Sequence, residues 1–192
     1  MIYMDNAATS FPKPESVYTA VDHFNRCLGG NPGRGSHQAT LKAGSILLDA
    51  REALSRLFNI KDCEQIAFTA NITESLNIAL KGLLRPGDHV ISTSMEHNAI
   101  ARPLYTLSQR GVEWTAVACA DDGSLNPEDI RRAIKPNTRM VAMLHASNLT
   151  GTIMPIAEVG KICRENNLIF LVDSAQTAGN LFGAQAERNA RR

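Results

Sequence analysis

Asp173 is the residue whose position points most directly to chemistry. It follows the apolar run Leu168-Ile169-Phe170-Leu171-Val172, which is typical of a buried parallel strand. Open α/β sheets bind ligands beyond the carboxyl ends of their strands. A carboxylate about 4 Å from a protonated ring nitrogen is worth roughly 4 kcal/mol at an effective dielectric constant of about 20, before desolvation. Asp173, with Gln176 close behind it, could therefore hold a cationic heterocycle, or Asp173 could simply cap the following turn.

A second candidate lies where a strand leads into a helix, at Asn71-Ile72-Thr73. Asn71 is a suitable N-cap, and Glu74 follows it at capping-box spacing. A helix N-terminus offers unpaired N–H groups and a partial positive charge, and Thr73 adds a hydroxyl. These residues could hold a phosphate group, although an ordinary capped turn would have the same sequence.

His97 and Asn148 also follow predicted strands. An imidazole at the carboxyl edge of a sheet can stack on a flat ring and move protons near neutral pH. The amide of Asn148 can donate a hydrogen bond to a phenolate oxygen. The alternatives are a helix-capping histidine preceded by an exposed Glu96, and an asparagine that only forms a turn.

The loop Gly29-Gly30-Asn31-Pro32-Gly33-Arg34-Gly35-Ser36 suggests a nucleotide site but lacks the lysine of a P-loop. No GxGxxG motif follows a strand either, so an unrelated nucleotide-binding α/β protein is disfavoured. We expect a flexible segment that presents Arg34 and His37 to a ligand, with a solvated linker as the alternative.

The elements that must position these residues alternate between strand and helix. An amino-terminal arm over 1–37 holds a short strand at 2–4 and a helix at 14–28, and a long helix follows at 38–58. Five strands joined by four helical crossovers then predict an α/β fold, a doubly wound, mainly parallel sheet with helices on both faces. The predicted strands are 66–69, 89–93, 113–118, 139–146 and 168–172, and the helices between them are 72–83, 98–110, 127–134 and 156–165. The large domain is predicted over 38–179, and a disordered tail over 180–192.

Composition excludes several classes of function. The chain is 44% hydrophobic and 20% charged, with a formal net charge of +1 and no basic block. Neither nucleic acid nor a membrane is therefore an expected partner, and the start of the chain lacks a signal-peptide pattern, which favours the cytoplasm. The four cysteines have no metal-ligand spacing, so we expect no metal site and reduced, mostly buried thiols at Cys27, Cys63, Cys119 and Cys163.

Six segments in a fixed order carry a family resemblance: 2–10, 31–37, 68–75, 95–97, 145–151 and 172–176. They resemble the amino-terminal half of the cysteine desulfurase family, which belongs to the class V aminotransferases of pyridoxal phosphate (PLP) fold type I. The resemblance extends from residue 2 to about residue 179. It implies the large domain of that fold, PLP as cofactor, and chemistry on an amino acid.

The resemblance also implies roles for individual residues. Ile72 and Thr73, in the turn opened by Asn71, would bind the PLP phosphate. His97 would stack on the pyridine ring and act as an acid or base, and Asp173 would hold the ring nitrogen.

Four further residues would surround the rest of the cofactor and the substrate. Asn148 would lie near the phenolate oxygen or the substrate carboxylate, and Gln176 would donate to the phenolate oxygen. Arg34 and His37 would line the substrate entrance and reach a neighbouring subunit.

Members of the family convert cysteine to alanine and pass the sulfur to a catalytic cysteine. All six lysines of this chain precede Asp173, so the family's Schiff-base lysine has no counterpart, and no cysteine matches the catalytic one. We expect a truncated enzyme that is inactive alone, homodimeric in its full-length form, with an amino-acid substrate and a sulfur-acceptor protein. The alternatives are a non-catalytic remnant or partner module, and another class V aminotransferase or selenocysteine lyase-like enzyme.

Overall fold

The computed structural model describes residues 2–181, in which helices and strands alternate from residue 72 onward. In chain order the elements are α1 (Glu15–His23), a π-helical turn (Phe24–Leu28), α2 (Gln38–Phe58), a 3₁₀ turn (Cys63–Gln65), α3 (Ile72–Leu83), β1 (His89–Thr93), α4 (Asn98–Ser108), β2 (Glu113–Val117), α5 (Pro127–Arg132), β3 (Thr138–Leu144), α6 (Ile156–Glu165) and β4 (Ile169–Asp173). Most of the tail predicted to be disordered falls at 182–192, outside the described residues.

The four strands form one parallel sheet in the order β2-β1-β3-β4. Helices α4, α5 and α6 connect successive strands, as parallel pairing requires. The chain moves outward from β1 to β2 and then crosses β1 to β3 and β4 on its other side. This is the predicted α/β class, a parallel sheet with intervening helices.

Both faces of the sheet are covered by helices, because alternate strand residues point to opposite sides. On one face, Val90, Met140 and Ala142 pack with apolar residues of α3 and α4. On the other, Ile91, Val141 and Met143 pack with residues of α5 and α6. The predicted two-sided cover is therefore confirmed, and it explains why residues 140–144 of β3 form a continuous apolar run.

Two predicted strands are wrong. Residues 66–69 are extended but belong to no strand of the described sheet, and the carbonyl of Ile66 accepts a hydrogen bond from Arg51 Nε at 3.0 Å. Residues 2–4 also form no strand, and the Tyr3 hydroxyl donates to the carbonyls of Asp5 and Thr9 instead. A strand needs a ladder partner, which the local sequence of neither segment specifies.

Helix boundaries follow the sequence signals closely. Helices α2, α3 and α6 have the predicted bounds, and Asn71 and Asn126 cap α3 and α5 through their side chains. Gly29 ends the first helical segment in the left-handed region, with φ of 41°, as its lack of a side chain allows. The strands β2, β3 and β4 differ from their predicted bounds by one or two residues.

The described chain divides into two compact units, the first formed by residues 2–68 and 179–181 and the second by Thr69–Ala178. Helix α2 belongs to the first unit, whereas the sequence predicts a large domain starting at residue 38. All four cysteines are free, but Cys163 is the buried one, so the expectation of mostly buried thiols is wrong. No helix of residues 2–181 is long and apolar enough to cross a membrane.

Candidate functional site

Three neighbouring strands end together at one edge of the sheet. Strand β1 ends at Thr93, β3 at Leu144 and β4 at Asp173, and Leu144 lies opposite Asp173 in the register. The backbone N–H of His145 donates to the Asp173 carbonyl at 2.9 Å. Polar residues that follow these strands are thereby brought to the same edge, which is where open α/β sheets bind ligands.

The Asp173 side chain is buried, with only 6% of the residue exposed. Its Oδ1 accepts a hydrogen bond from the backbone N–H of Ala175 at 3.0 Å. Its Oδ2 accepts none from the described residues. Asp173 therefore caps the following turn and also keeps an acceptor oxygen for another donor, so the two sequence interpretations are compatible. No buried side-chain oxygen of the described residues lacks a hydrogen-bond partner, so Oδ2 is the part of Asp173 that solvent or a ligand can reach, and a carboxylate oxygen there favours a cationic N–H group.

The start of α3 has the geometry of an anion site. Asn71 Oδ1 accepts from the Glu74 N–H at 2.9 Å, and Glu74 Oε2 accepts from the Ala70 N–H at 2.7 Å. These two bonds orient the first turn of the helix. The N–H groups of Ile72 and Thr73 have no acceptor among residues 2–181, so they remain available to a phosphate.

His97 and Thr73 line one groove of 420 Å³, whose walls come from α3 and α4. His97 is exposed, and its Nδ1 accepts from the Ala99 N–H at 3.1 Å, which caps α4. In the neutral ring the proton is therefore on Nε2. The groove is also lined by Lys81 and Arg102, neither of which forms an ion pair within the described chain, so its charge favours anions.

Asn148 and Gln176 lie in the turns that follow β3 and β4. Asn148 is exposed in a loop held by Ser147, whose Oγ accepts from the N–H groups of Leu149 and Thr150 at 3.2 and 3.3 Å. Gln176 is partly buried. Both residues are thus on the loops expected to carry them, while their contact with a ligand stays a prediction.

His145, the residue that follows β3, helps to hold the carboxyl edge of the sheet together. It is buried, its Nδ1 is 2.8 Å from the hydroxyl of buried Thr177, and burial lowers its pKa. The ring therefore stays neutral at physiological pH and ties the end of β3 to the turn after β4. The sequence gives His145 no role beyond ending a strand, because Thr177 is 32 residues away.

Glu96 is the residue that sequence reasoning missed. The alternative interpretation of His97 left Glu96 exposed, but Glu96 is partly buried, and its carboxylate accepts hydrogen bonds from Thr93 and Leu144. Burial raises the pKa of Glu96 to about 7, against the lowering effect of these hydrogen bonds and with a further rise from the charge of Asp173. Two carboxyl groups therefore lie close together at the strand ends.

Arg34 and His37 belong to the first unit. His37 caps α2, with Nδ1 accepting from the Thr40 N–H at 3.4 Å and Nε2 lying 3.1 Å from the Thr40 hydroxyl. Arg34 is exposed, and its carbonyl accepts from the same hydroxyl at 3.3 Å. These contacts assign His37 a structural role, and the place of both residues at a substrate entrance stays a prediction.

Comparison with known proteins agrees with this geometry. The family model described as aminotransferase class-V matches residues 2–182, so the chain belongs to the class V aminotransferases. Within that class, its curated relatives are cysteine desulfurases. Cysteine desulfurase IscS of Dictyoglomus turgidum is 34% identical over 184 residues, covering 94% of this chain and 46% of that protein.

Solved structures give the same picture. The apo structure of a cysteine desulfurase from Thermococcus onnurineus NA1 matches with a TM-score of 0.88 and 33% identity, over 95% of this chain and 46% of that one. SspA in complex with cysteine matches with a TM-score of 0.85 and 28% identity, over 92% and 51%. The resemblance and the fold class are therefore confirmed, and the chain spans about half the length of these relatives.

Proposed function

We propose that this chain forms the PLP-binding part of a cysteine desulfurase-type enzyme. The observation that carries the proposal is Asp173, a buried carboxylate at the end of β4 with one oxygen left without a donor. PLP fits this site because its ring nitrogen can donate to that oxygen when protonated. A cysteine desulfurase belongs to a family that uses PLP, which supplies an electron sink when bound.

Each residue of the edge has a role in this proposal. The N–H groups of Ile72 and Thr73 bind the phosphate, with Asn71 orienting the turn. Asp173 keeps the ring nitrogen protonated, and His97 lies over the ring and accepts or returns a proton. Three loops supply these groups, so each polar part of the cofactor has a partner of matching chemistry.

Asn148 and Gln176 complete the proposed site, Gln176 as a donor to the phenolate oxygen and Asn148 as a donor to that oxygen or to the substrate carboxylate. Their amide N–H groups suit an oxygen that carries negative charge. Arg34 and His37 are proposed at the substrate entrance.

Cysteine is the proposed substrate, with alanine and enzyme-bound sulfur as products. The relatives are cysteine desulfurases, and SspA was solved in complex with cysteine. No lysine of this chain follows Asp173, and none of its cysteines matches the family's catalytic one. We therefore expect the 192-residue chain to bind PLP without releasing sulfide by itself.

A homodimer and a sulfur-acceptor protein are the proposed partners, in the cytoplasm. Helix α2 supports an interface because it exposes several large apolar side chains, which are Leu41, Ile46, Leu47 and Leu48. Exposed apolar groups at such density are typical of a surface that another chain covers.

Equilibrium titration tests the proposal. PLP should bind the chain, as followed by its absorbance and by quenching of Trp114, and pyridoxal, which lacks the phosphate, should bind about tenfold more weakly or worse. Sulfide is then assayed after addition of cysteine. Equal affinity for the two compounds would contradict the phosphate site, and sulfide release would contradict the expected inactivity.

A further inference from the structure

We propose that Glu96 is a positioning residue of the cofactor site: its carboxylate fixes the turn that carries His97 to the strand end beside Asp173. This inference rests on the proposed function, because it assigns His97 and Asp173 to one bound ring. It adds a residue whose role is to set the relation between those two groups.

The carboxylate of Glu96 joins two strands. Its Oε1 accepts from the Thr93 hydroxyl at 2.7 Å and from the Thr93 N–H at 3.3 Å, at the end of β1. Its Oε2 accepts from the N–H of Leu144 at 2.9 Å, at the end of β3. Leu144 lies opposite Asp173 in the register of β3 and β4. The Glu96 side chain therefore links the end of β1 to the end of β3, beside the strand that ends at Asp173.

The same turn is held at its other points. The Ser94 N–H donates to the Val117 carbonyl at 2.9 Å, and the Met95 N–H donates to the Thr93 hydroxyl at 3.2 Å. His97 follows Glu96 directly and is fixed on its far side by the Ala99 N–H. The orientation of the His97 ring therefore depends on this turn, and the hydrogen bonds of Glu96 hold the middle of the turn in place.

Charge couples Glu96 to the ligand. The titratable groups next to it are Asp173, whose charge acts on it, His97, the next residue in the chain, and His145, which follows the Leu144 that donates to Glu96. Asp173 raises the pKa of Glu96 by repulsion, and a cationic ring N–H bound to Asp173 would offset that repulsion. By linkage, an ionised Glu96 strengthens binding of the cation by the same factor by which the cation favours ionisation.

The first test uses the chain without ligand and compares Glu96→Gln with Glu158→Gln. Glutamine keeps the size of the side chain but presents an NH₂ group to donors at Thr93 or Leu144, so one hydrogen bond is lost. Glu158 is an exposed residue of α6 and serves as the control. Exchange of whichever amide faces the new NH₂ group, that of Thr93 or that of Leu144, should quicken about tenfold in Glu96→Gln only, with a shift of the His97 ring signals in NMR spectra.

Unchanged protection of both the Thr93 and the Leu144 amides, together with unchanged His97 signals, would overturn the positioning role, whatever the affinity for PLP. Because the folded state is checked by the remaining amide signals, general unfolding of Glu96→Gln would be visible as such. In that case Glu96→Asp, which keeps the charge but shortens the reach, should show the His97 shift while the β2 amides stay protected, and an unmoved His97 would overturn the role.

The second test measures PLP affinity against pH. We divide the dissociation constant of Glu96→Gln for PLP by that of the unmodified chain. This ratio should rise about tenfold between about pH 6 and pH 8.5, because Glu96 ionises in the unmodified chain over that range. Titration of PLP itself cancels in this ratio. A flat ratio with normal binding by the unmodified chain would overturn the inference, whereas no binding by the unmodified chain would overturn the proposed function.

Discussion

Asp173 uses its two carboxylate oxygens differently. Oδ1 is held by the N–H of Ala175, which fixes the orientation of the side chain, and Oδ2 is left for a ligand. A carboxylate that is already oriented loses little side-chain entropy when a cation binds. The turn and the site therefore depend on the same residue, although on different atoms of it.

Replacement of this carboxylate tests the assignment. Asp173→Asn keeps an oxygen for the Ala175 N–H but removes the charge and the free acceptor, so we expect PLP affinity to fall by at least about tenfold. Asp173→Ala should lose at least as much. The measurement is equilibrium titration, with Asp121→Asn at an exposed position as the control. Unchanged affinity in Asp173→Ala would show that another residue holds the ring nitrogen.

Single residues were predictable where their signal is local. Asn71 was expected as the cap of α3 because the cap and Glu74 lie within one helical turn, and both hydrogen bonds are present. Glu96 was not, because the bond that buries it comes from Leu144, 48 residues along the chain. The contact between Asn71 and Glu74 can be predicted from a local sequence pattern, whereas the contact between Glu96 and Leu144 cannot.

At the scale of elements, the caps of α3 and α5 form a matched pair. Asn71 accepts from the Glu74 N–H at 2.9 Å and Asn126 from the Glu128 N–H at 3.1 Å. Asn71→Ala and Asn126→Ala should each lower the free energy of unfolding by about 1 kcal/mol in chemical denaturation. PLP affinity should fall only in Asn71→Ala, since only α3 faces the proposed phosphate. An equal loss of affinity in both variants would place the phosphate elsewhere.

His89 joins three strands at the opposite end of the sheet. Its Nδ1 lies 2.7 Å from the Thr138 hydroxyl and its Nε2 lies 2.8 Å from the Thr115 hydroxyl. The ring is fully buried, and burial, with a smaller effect of the Lys135 charge, lowers the pKa of His89. The neutral ring thus connects β1 to both of its neighbours.

His89→Ala should lower the free energy of unfolding by about 2–4 kcal/mol at pH 8, because it removes packing and two hydrogen bonds. The pKa of His89 is lower folded than unfolded, so its contribution is present above about pH 6.5 and is lost as the pH falls. Denaturation at several pH values should show a weaker decline toward acid in His89→Ala than in the unmodified chain. An identical decline would contradict this role.

The sheet illustrates how far elements can be predicted. The apolar runs at β3 and β4 are long enough to identify buried strands, and the alternating helices then require a parallel sheet. Residues 66–69 contain the same residue types, yet they pair with no strand in the part of the chain that is described. Pairing is a tertiary property, so composition alone assigns this segment wrongly.

At the scale of the whole molecule, the two units differ in how they bury apolar residues. The second unit covers both faces of its sheet. In the first, Leu41 and Leu48 of α2 are 64% and 47% exposed and lie seven residues apart, on one side of the helix. This surface is the place where the proposed homodimer can be tested.

If α2 is part of the dimer interface, Leu41→Glu combined with Leu48→Glu should convert the dimer to a monomer in sedimentation experiments. Burying two carboxylates in an apolar interface costs several kcal/mol each. Lys42→Glu on the same helix is the control and should leave the mass unchanged. A monomeric unmodified chain, or a variant that stays dimeric, would contradict this interface.

The central claim is that the carboxyl edge of the sheet binds PLP, and site-resolved NMR during a PLP titration tests it most directly. We expect saturable shifts of the Ile72 and Thr73 amides, the His97 ring and the Ala175 amide, with one dissociation constant for all of them. Saturable shifts confined to the opposite edge, around Asp88 and Asn137, or no saturable shift at all, would contradict the claim.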